Sequence, residues 1–154
     1  MEESVKKVLQ SLQGRCARRE YCVSEVRAKA LKALEGDAGA AEEVVAALVR
    51  DGFVDDLRYA SAFAREKASL TGWGAVKISF ALSTKGIARD VIAQALAEID
   101  SDKASDKLDR LLAAKFRTLQ GDPQCKLKLL KFALGRGYSY DEVAPAVERV
   151  MKGE

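Results

Sequence analysis

The stretch LTGWGAVKISFALSTKGI, residues 70 to 87, carries two lysines and no acid. Lys77 and Lys85 stand eight residues apart. On a helix of about 3.6 residues per turn that spacing puts them within about 80° of each other, so both can face one partner. The segment KLKLLKFALGR, residues 126 to 136, repeats the pattern with Lys126, Lys128, Lys131 and Arg136, again without an acid. The chemistry open to such helices is electrostatic. Basic ridges repeated along a scaffold suit a polyanion or an acidic protein groove, because each phosphate neutralised releases counterions and gives salt-sensitive attachment without sequence preference.

Covalent and metal chemistry have little to work with. The chain contains no histidine, which removes the commonest general base and the commonest metal ligand. It has no phosphate-binding P-loop, dinucleotide fingerprint, nucleophile elbow or zinc-protease motif. Its three cysteines, Cys16, Cys22 and Cys125, form no CxxC pair, and an odd number in a chain without an export signal argues for buried thiols rather than a disulfide framework. The cluster Asp51, Asp55 and Asp56 is not read as a metal site, because Asp55 and Asp56 sit where a helix N-terminus favours negative charge and the neighbouring Arg50 and Arg58 can pair with them. The expectation is a non-enzyme with no cofactor and no metal.

The aromatic residues divide. Tyr59 and Phe63, four apart, are read as core partners. Trp73, between Gly72 and Gly74, is read either as an exposed anchor or as a hydrophobic staple at a helix entrance. Val76, Ile78, Phe80, Leu82 and Ile87 supply the expected inward stripe of the helix that follows.

The elements that must position these residues are all helical. Of 154 residues, 48% are hydrophobic and 32% charged, enough for a real core, with only two prolines and no period-2 run of strand length. Start signals fall at Ser24, Asp55 or Asp56, Ser101, Asp122 with Pro123, and the Ser139 to Glu142 capping box; stops fall at Gly36, Gly52, Gly86, Gly121 and Gly137. The expected helices cover 3–19, 24–35, 41–51, 55–70, 74–85, 88–99, 101–118, 122–135 and 139–151. No apolar run is long enough to span a membrane, and the N-terminus lacks a secretory pattern, so the expectation is a cytoplasmic protein without membrane contact.

Charge alternates along the chain although the net is only +3. Residues 58 to 85 hold Arg58, Arg65, Lys67, Lys77 and Lys85 against Glu66 alone, and residues 110 to 136 hold seven bases against Asp122, while 35–56 and 90–109 are acidic. The sequence also repeats. Residues 77–96 match residues 126–147 when Gly86 is laid on Gly137, which sets Lys85 on Arg136 and Ile92 on Val143. More loosely, 42–49 falls over 89–96 and 60–70 over 107–117. Three tandem three-helix units follow, at 1–53, 54–100 and 101–154. Each is too small to be comfortable alone, so stacked neighbours should share apolar faces in an elongated, curved all-α array, expected to be monomeric.

RDGFVDDLRYASAFAREKA followed by GWGAVKISFALSTKGIARDVIAQAL, preceded by CARREYCVSEVRAKAL and followed by KFALGRGYSYDEV, resembles the RecX regulatory proteins of bacteria, modulators of the RecA recombinase. The resemblance runs from about residue 12 to 150 and implies three consecutive three-helix units. It also implies binding within the groove of the RecA filament on single-stranded DNA, with inhibition of ATP hydrolysis, strand exchange and filament growth, and no catalytic residue. In the first unit the family's glycine after the second helix is diluted into EGDAGAAEE, which leaves the length of that connection open. The set expected to meet RecA or DNA phosphate is Arg58, Arg65, Lys67, Lys77, Lys85, Lys126, Lys128, Lys131 and Arg136. The competing reading is a general single- or double-stranded DNA-binding module that needs no recombinase.

Overall fold

The computed structural model describes residues 1–153, and every regular element among them is a helix. They pack as triplets in chain order: α1 (Glu3–Cys16), α2 (Val23–Ala33) and α3 (Ala38–Arg50); α4 (Asp56–Glu66), α5 (Ala75–Thr84) and α6 (Arg89–Ala97); α7 (Ser101–Arg117), α8 (Cys125–Gly135) and α9 (Tyr140–Lys152). Among the described residues no helix is long and apolar enough to cross a membrane.

Each expected helix is present, but several starts differ. Cys22, not Ser24, caps α2, its N–H bonded to Glu25 Oε1 at 3.0 Å, and Ser24 is released for another use. Asp100 rather than Ser101 caps α7, accepting from the N–H groups of Asp102 and Lys103. Asp122 braces the turn before α8 by accepting from Gln124 N–H, so Pro123 precedes that helix instead of opening it. Ser139 and Glu142 form the expected capping box. The connection after α2 is short, with Asp37 already capping α3 through Ala40 N–H. The expected helix 55–70 is α-helical only to Glu66; Lys67–Thr71 widen into a π-turn that ends on left-handed Gly72 and packs against α7.

Three cores lie in series. The first holds Val26, Val44 and Leu48, the second Ile78, Leu82 and Ile92, and the third Leu112, Leu129 and Val143. The repeat read from the sequence is visible in what is buried: Ile78 with Leu129, Leu82 with Ala133, Ile92 with Val143. In the first helices the register slips by one residue, since Ala60 and Ala64 occupy the places of Leu108 and Leu112. The accessible surface is 9205 Å², against about 7,600 Å² for a compact chain of this mass. The array is therefore extended.

The second helices of the triplets run head to tail. The C-terminal end of α8 abuts the N-terminus of α5, where Gly74 N–H bonds Arg136 O at 2.8 Å and Val76 N–H bonds Gly137 O at 3.0 Å. The C-terminal end of α5 in turn meets the N-terminus of α2, where Ser24 Oγ donates to Lys85 O at 2.6 Å. Carbonyl-rich ends thus face amide-rich ends, so the helix dipoles align favourably along the array.

Candidate partner-binding surface

α5 extends from one joint to the other, and this separates its two lysines. Lys77 lies at the joint with the third triplet, where a Cβ placed on Gly137 would collide with Lys77 Cβ. Lys85 lies at the joint with the first, its ammonium 3.3 Å from Glu25 Oε2 and 5.8 Å from the Tyr59 ring centre. Burial alone would lower the Lys85 ammonium, but the Tyr59 phenol and the Glu25 carboxylate outweigh it and hold its pKa above the ordinary lysine value. Glu25 shows the reverse balance: burial would raise it, while the Cys22 N–H and Lys85 hold it below the ordinary carboxylate value. Helical spacing permits Lys77 and Lys85 a common face, yet the fold gives Lys85 an internal ionic partner.

The other expected basic residues divide in the same way. Arg58 reaches Glu20 and the carbonyls of Gly52 and Phe53, clipping the loop between the first two triplets. Asp56, on the same turn, accepts from Val23 N–H at 2.8 Å, and Arg50 pairs with Asp51. Lys126 pairs with Glu148 at 2.7 Å and Lys128 with Asp122 at 2.5 Å, so acids from outside the stretch 126–136 neutralise part of it. Exposed pairs of this kind contribute little and exchange readily for another anion. Lys131 and Arg65 are exposed and in no ion pair among the described residues.

Lys67, Lys77 and Arg136 are brought together at the turn Thr71–Gly74. Lys67 Nζ lies 5.0 Å and Lys77 Nζ 4.7 Å from the Trp73 ring centre, and Arg136 Nη1 donates to Thr71 O at 2.9 Å. Trp73 is half-buried, edge-on to Phe63 at 6.3 Å, and Phe63 stacks on Tyr59 at 6.0 Å. The indole is therefore neither a free anchor nor a plain staple: it joins the second core while supporting two cations. Lys107, not foreseen because it stands in an acidic stretch, approaches the same turn from α7, its Cε 3.4 Å from where a Cβ on Gly72 would lie.

The inward stripe expected of α5 is corrected in part. Ile78, Leu82 and Ile87 are buried, whereas Val76 is 59% and Phe80 72% exposed. Val76 and Phe80 are four apart, and each precedes a buried residue, Ile78 or Leu82, by two positions, about 200° around the helix. α5 thus has a core stripe and an outward apolar pair, with Lys77 beside it in sequence. Its excess of apolar residues for a helix in so thin a unit is the signal that could have revealed this.

All three thiols are free; Cys22 and Cys125 are buried, and burial raises the Cys22 pKa. Cys22 belongs by contact to the second core although it precedes α2, so the first two triplets share it.

Stacked three-helix units joined through their second helices define an all-helical repeat protein. The family model for RecX, second three-helix domain, matches residues 55–96. The Regulatory protein RecX of Lactococcus lactis subsp. cremoris strain SK11 is 30% identical over 129 residues, covering 81% of this chain and 48% of the relative. That of Clostridium botulinum strain Alaska E43 is 34% identical over 108 residues, covering 66% and 49%. The crystal structure of RecX from Lactobacillus salivarius superposes with a TM-score of 0.85 at 19% identity over 99% of both chains. A crystal structure of regulatory protein RecX superposes at 0.84 and 20% identity, covering 99% of this chain and 73% of the other. The chain belongs to the RecX family of regulatory proteins. It spans about half the length of the curated relatives it matches.

Proposed function

We propose that the chain is a negative regulator of a RecA-type recombinase, seated in the groove of the recombinase filament on single-stranded DNA, where it inhibits ATP hydrolysis, strand exchange and filament extension. It acts by occupancy, as a monomer in the cytoplasm and without chemistry of its own. The working units are residues 1–53, 54–100 and 101–154, the first and second sharing Cys22.

The observation that carries the proposal is the cationic joint between the second and third triplets. Lys67, Lys77 and Arg136 converge there without ion-pair partners among the described residues, on an extended scaffold that can follow a furrow. Val76 and Phe80 add the apolar contact that an interface core needs. Arg65 and Lys131, exposed and in no ion pair among the described residues, are assigned to the same partner; Lys126 and Lys128 exchange their surface pairs for the partner, while Arg58 and Lys85 act through the shape of the array.

Pull-down against recombinase filaments, with and without DNA, tests the reading. A Lys77→Glu, Lys128→Glu variant should keep its helicity and lose inhibition of strand exchange. Wild-type potency in that variant would overturn the site, and binding to naked DNA with no recombinase effect would favour the general DNA-binding module instead.

A further inference from the structure

We infer that Lys67, Lys77 and Arg136 form a phosphate-binding site organised by Trp73 at the joint of the second and third triplets. The inference deepens the function proposed above by naming the ligand group that this part of the surface takes. Lys67 and Lys77 both rest on the one indole, so their ammonium groups stand no further apart than the sum of 5.0 and 4.7 Å. Arg136 reaches Thr71 O, two residues before Trp73, with one nitrogen and directs its guanidinium to the same turn. Lys107 adds a fourth positive group through the contact of its stem with the Gly72 position.

Among the described residues no acid forms an ion pair with Lys67, Lys77 or Arg136, and three acids of the neighbouring elements are used elsewhere. Glu142 is held by Ser139, Asp100 caps α7, and Asp109 pairs with Arg149. Like charges so placed repel, and the half-buried ring lowers the local dielectric on one side, so a bound anion relieves a cost already present in the fold. The ring also limits how far the two lysine stems wander, which reduces the entropy lost when they close on a ligand. Lysine and arginine donors suit the oxygens of a phosphate, which accept from several directions at once. A phosphodiester of a nucleic-acid strand and a free phosphate share this chemistry.

Trp73 is the only tryptophan, so it reports on its own site. The full chain, without recombinase, is titrated at low salt with an oligodeoxythymidine, with the uncharged methylphosphonate oligomer of the same length, and with inorganic phosphate. A saturable change in Trp73 emission with the charged oligomer alone assigns the phosphate to a strand; an equal response to inorganic phosphate assigns it to the free ion, and either supports the site. Lys67→Gln, Lys77→Gln together should weaken the response about tenfold or more, while Lys6→Gln, exposed on α1 of the first triplet, changes it less. Circular dichroism and the thermal midpoint establish that the double variant is folded. Equal affinity in the folded double variant, an equal response to the methylphosphonate oligomer, or strand binding seen by anisotropy with Trp73 emission flat would overturn the site. Because no recombinase is present, failure here leaves groove binding standing, and failure in the pull-down leaves this site standing.

Discussion

Gly74 and Gly137 meet backbone to backbone across the joint between the second and third triplets, so closely that a Cβ on Gly74 would collide with the Gly137 carbonyl and the Tyr138 amide. Contact at that range lets Gly74 N–H and Val76 N–H, at the start of α5, find carbonyls at the end of α8. Two glycines therefore do for the joint what a hydrophobic interface does elsewhere, and they fix where Lys77 and Arg136 stand relative to each other.

Gly137→Ala should be among the most destabilising single changes in the chain. Its φ of +94° is left-handed and its Cβ would strike Lys77; together the backbone penalty and the forced shift cost about 3 kcal/mol. Gly121→Ala is the control, with φ +81° but nothing within 4 Å, and should cost about 1 to 2 kcal/mol. Urea denaturation of both variants measures the difference, and equal losses would show that the contact at Gly137 is slack.

The joint between the first two triplets is built differently, from side chains. Ser24→Ala removes the hydroxyl that bonds Lys85 O and should cost about 1 kcal/mol. Hydrogen exchange should then quicken at the amides of α2 before those of α8. Uniform quickening along the chain would show that the triplets open as one.

Acid should loosen the same joint. The Glu25 carboxyl lies below its ordinary 4.5 in the folded chain, so its contribution is complete above that value and is lost as pH falls through the lower, folded one. Glu25→Gln lacks this term. Its thermal midpoint should be lower than that of the unmodified chain near neutrality, and the two should converge as pH falls through the lowered value of the folded carboxyl. Parallel curves through the acid range would mean that Glu25 is not the group titrating.

The nine α-helices among the described residues and the repeat in their burial are legible in the sequence because caps, glycine stops and apolar spacing are local properties, and the burial of Ile78 with Leu129 and Leu82 with Ala133 repeats what the spacing gives. The site is legible in composition but not in partners. The stretch 126–136 reads as acid-free, yet Glu148 and Asp122 reach it from α9 and from the turn before α8. Lys85 reads as the companion of Lys77, yet it belongs with Glu25, sixty residues earlier. Lys107 sits among acids in sequence and beside Gly72 in space. In each case the missing knowledge is tertiary: α9 packs on α8 within the third triplet, Lys85 meets Glu25 across the joint of the first two triplets, and Lys107 meets Gly72 across the joint of the second and third, none of which periodicity encodes.

Phe80 separates a stabilising role for α5 from a recognition role. With 72% of its surface exposed, its side chain adds little to the fold, so Phe80→Ala should change stability by no more than about 0.5 kcal/mol. If Phe80 and Val76 are the apolar centre of the surface that meets the recombinase, the same change should weaken binding by about 2 kcal/mol, near thirtyfold, because a truncated aromatic anchor leaves its pocket on the partner unfilled. Leu82→Ala is the opposite case: fully buried beside Ile78, it should cost about 3 kcal/mol of stability. A Phe80→Ala chain that unfolds early would place the ring in the core after all. One that is stable and binds filaments like the unmodified chain would move the contact to the cationic joint alone, since Lys67, Lys77 and Arg136 remain in place when Phe80 is removed.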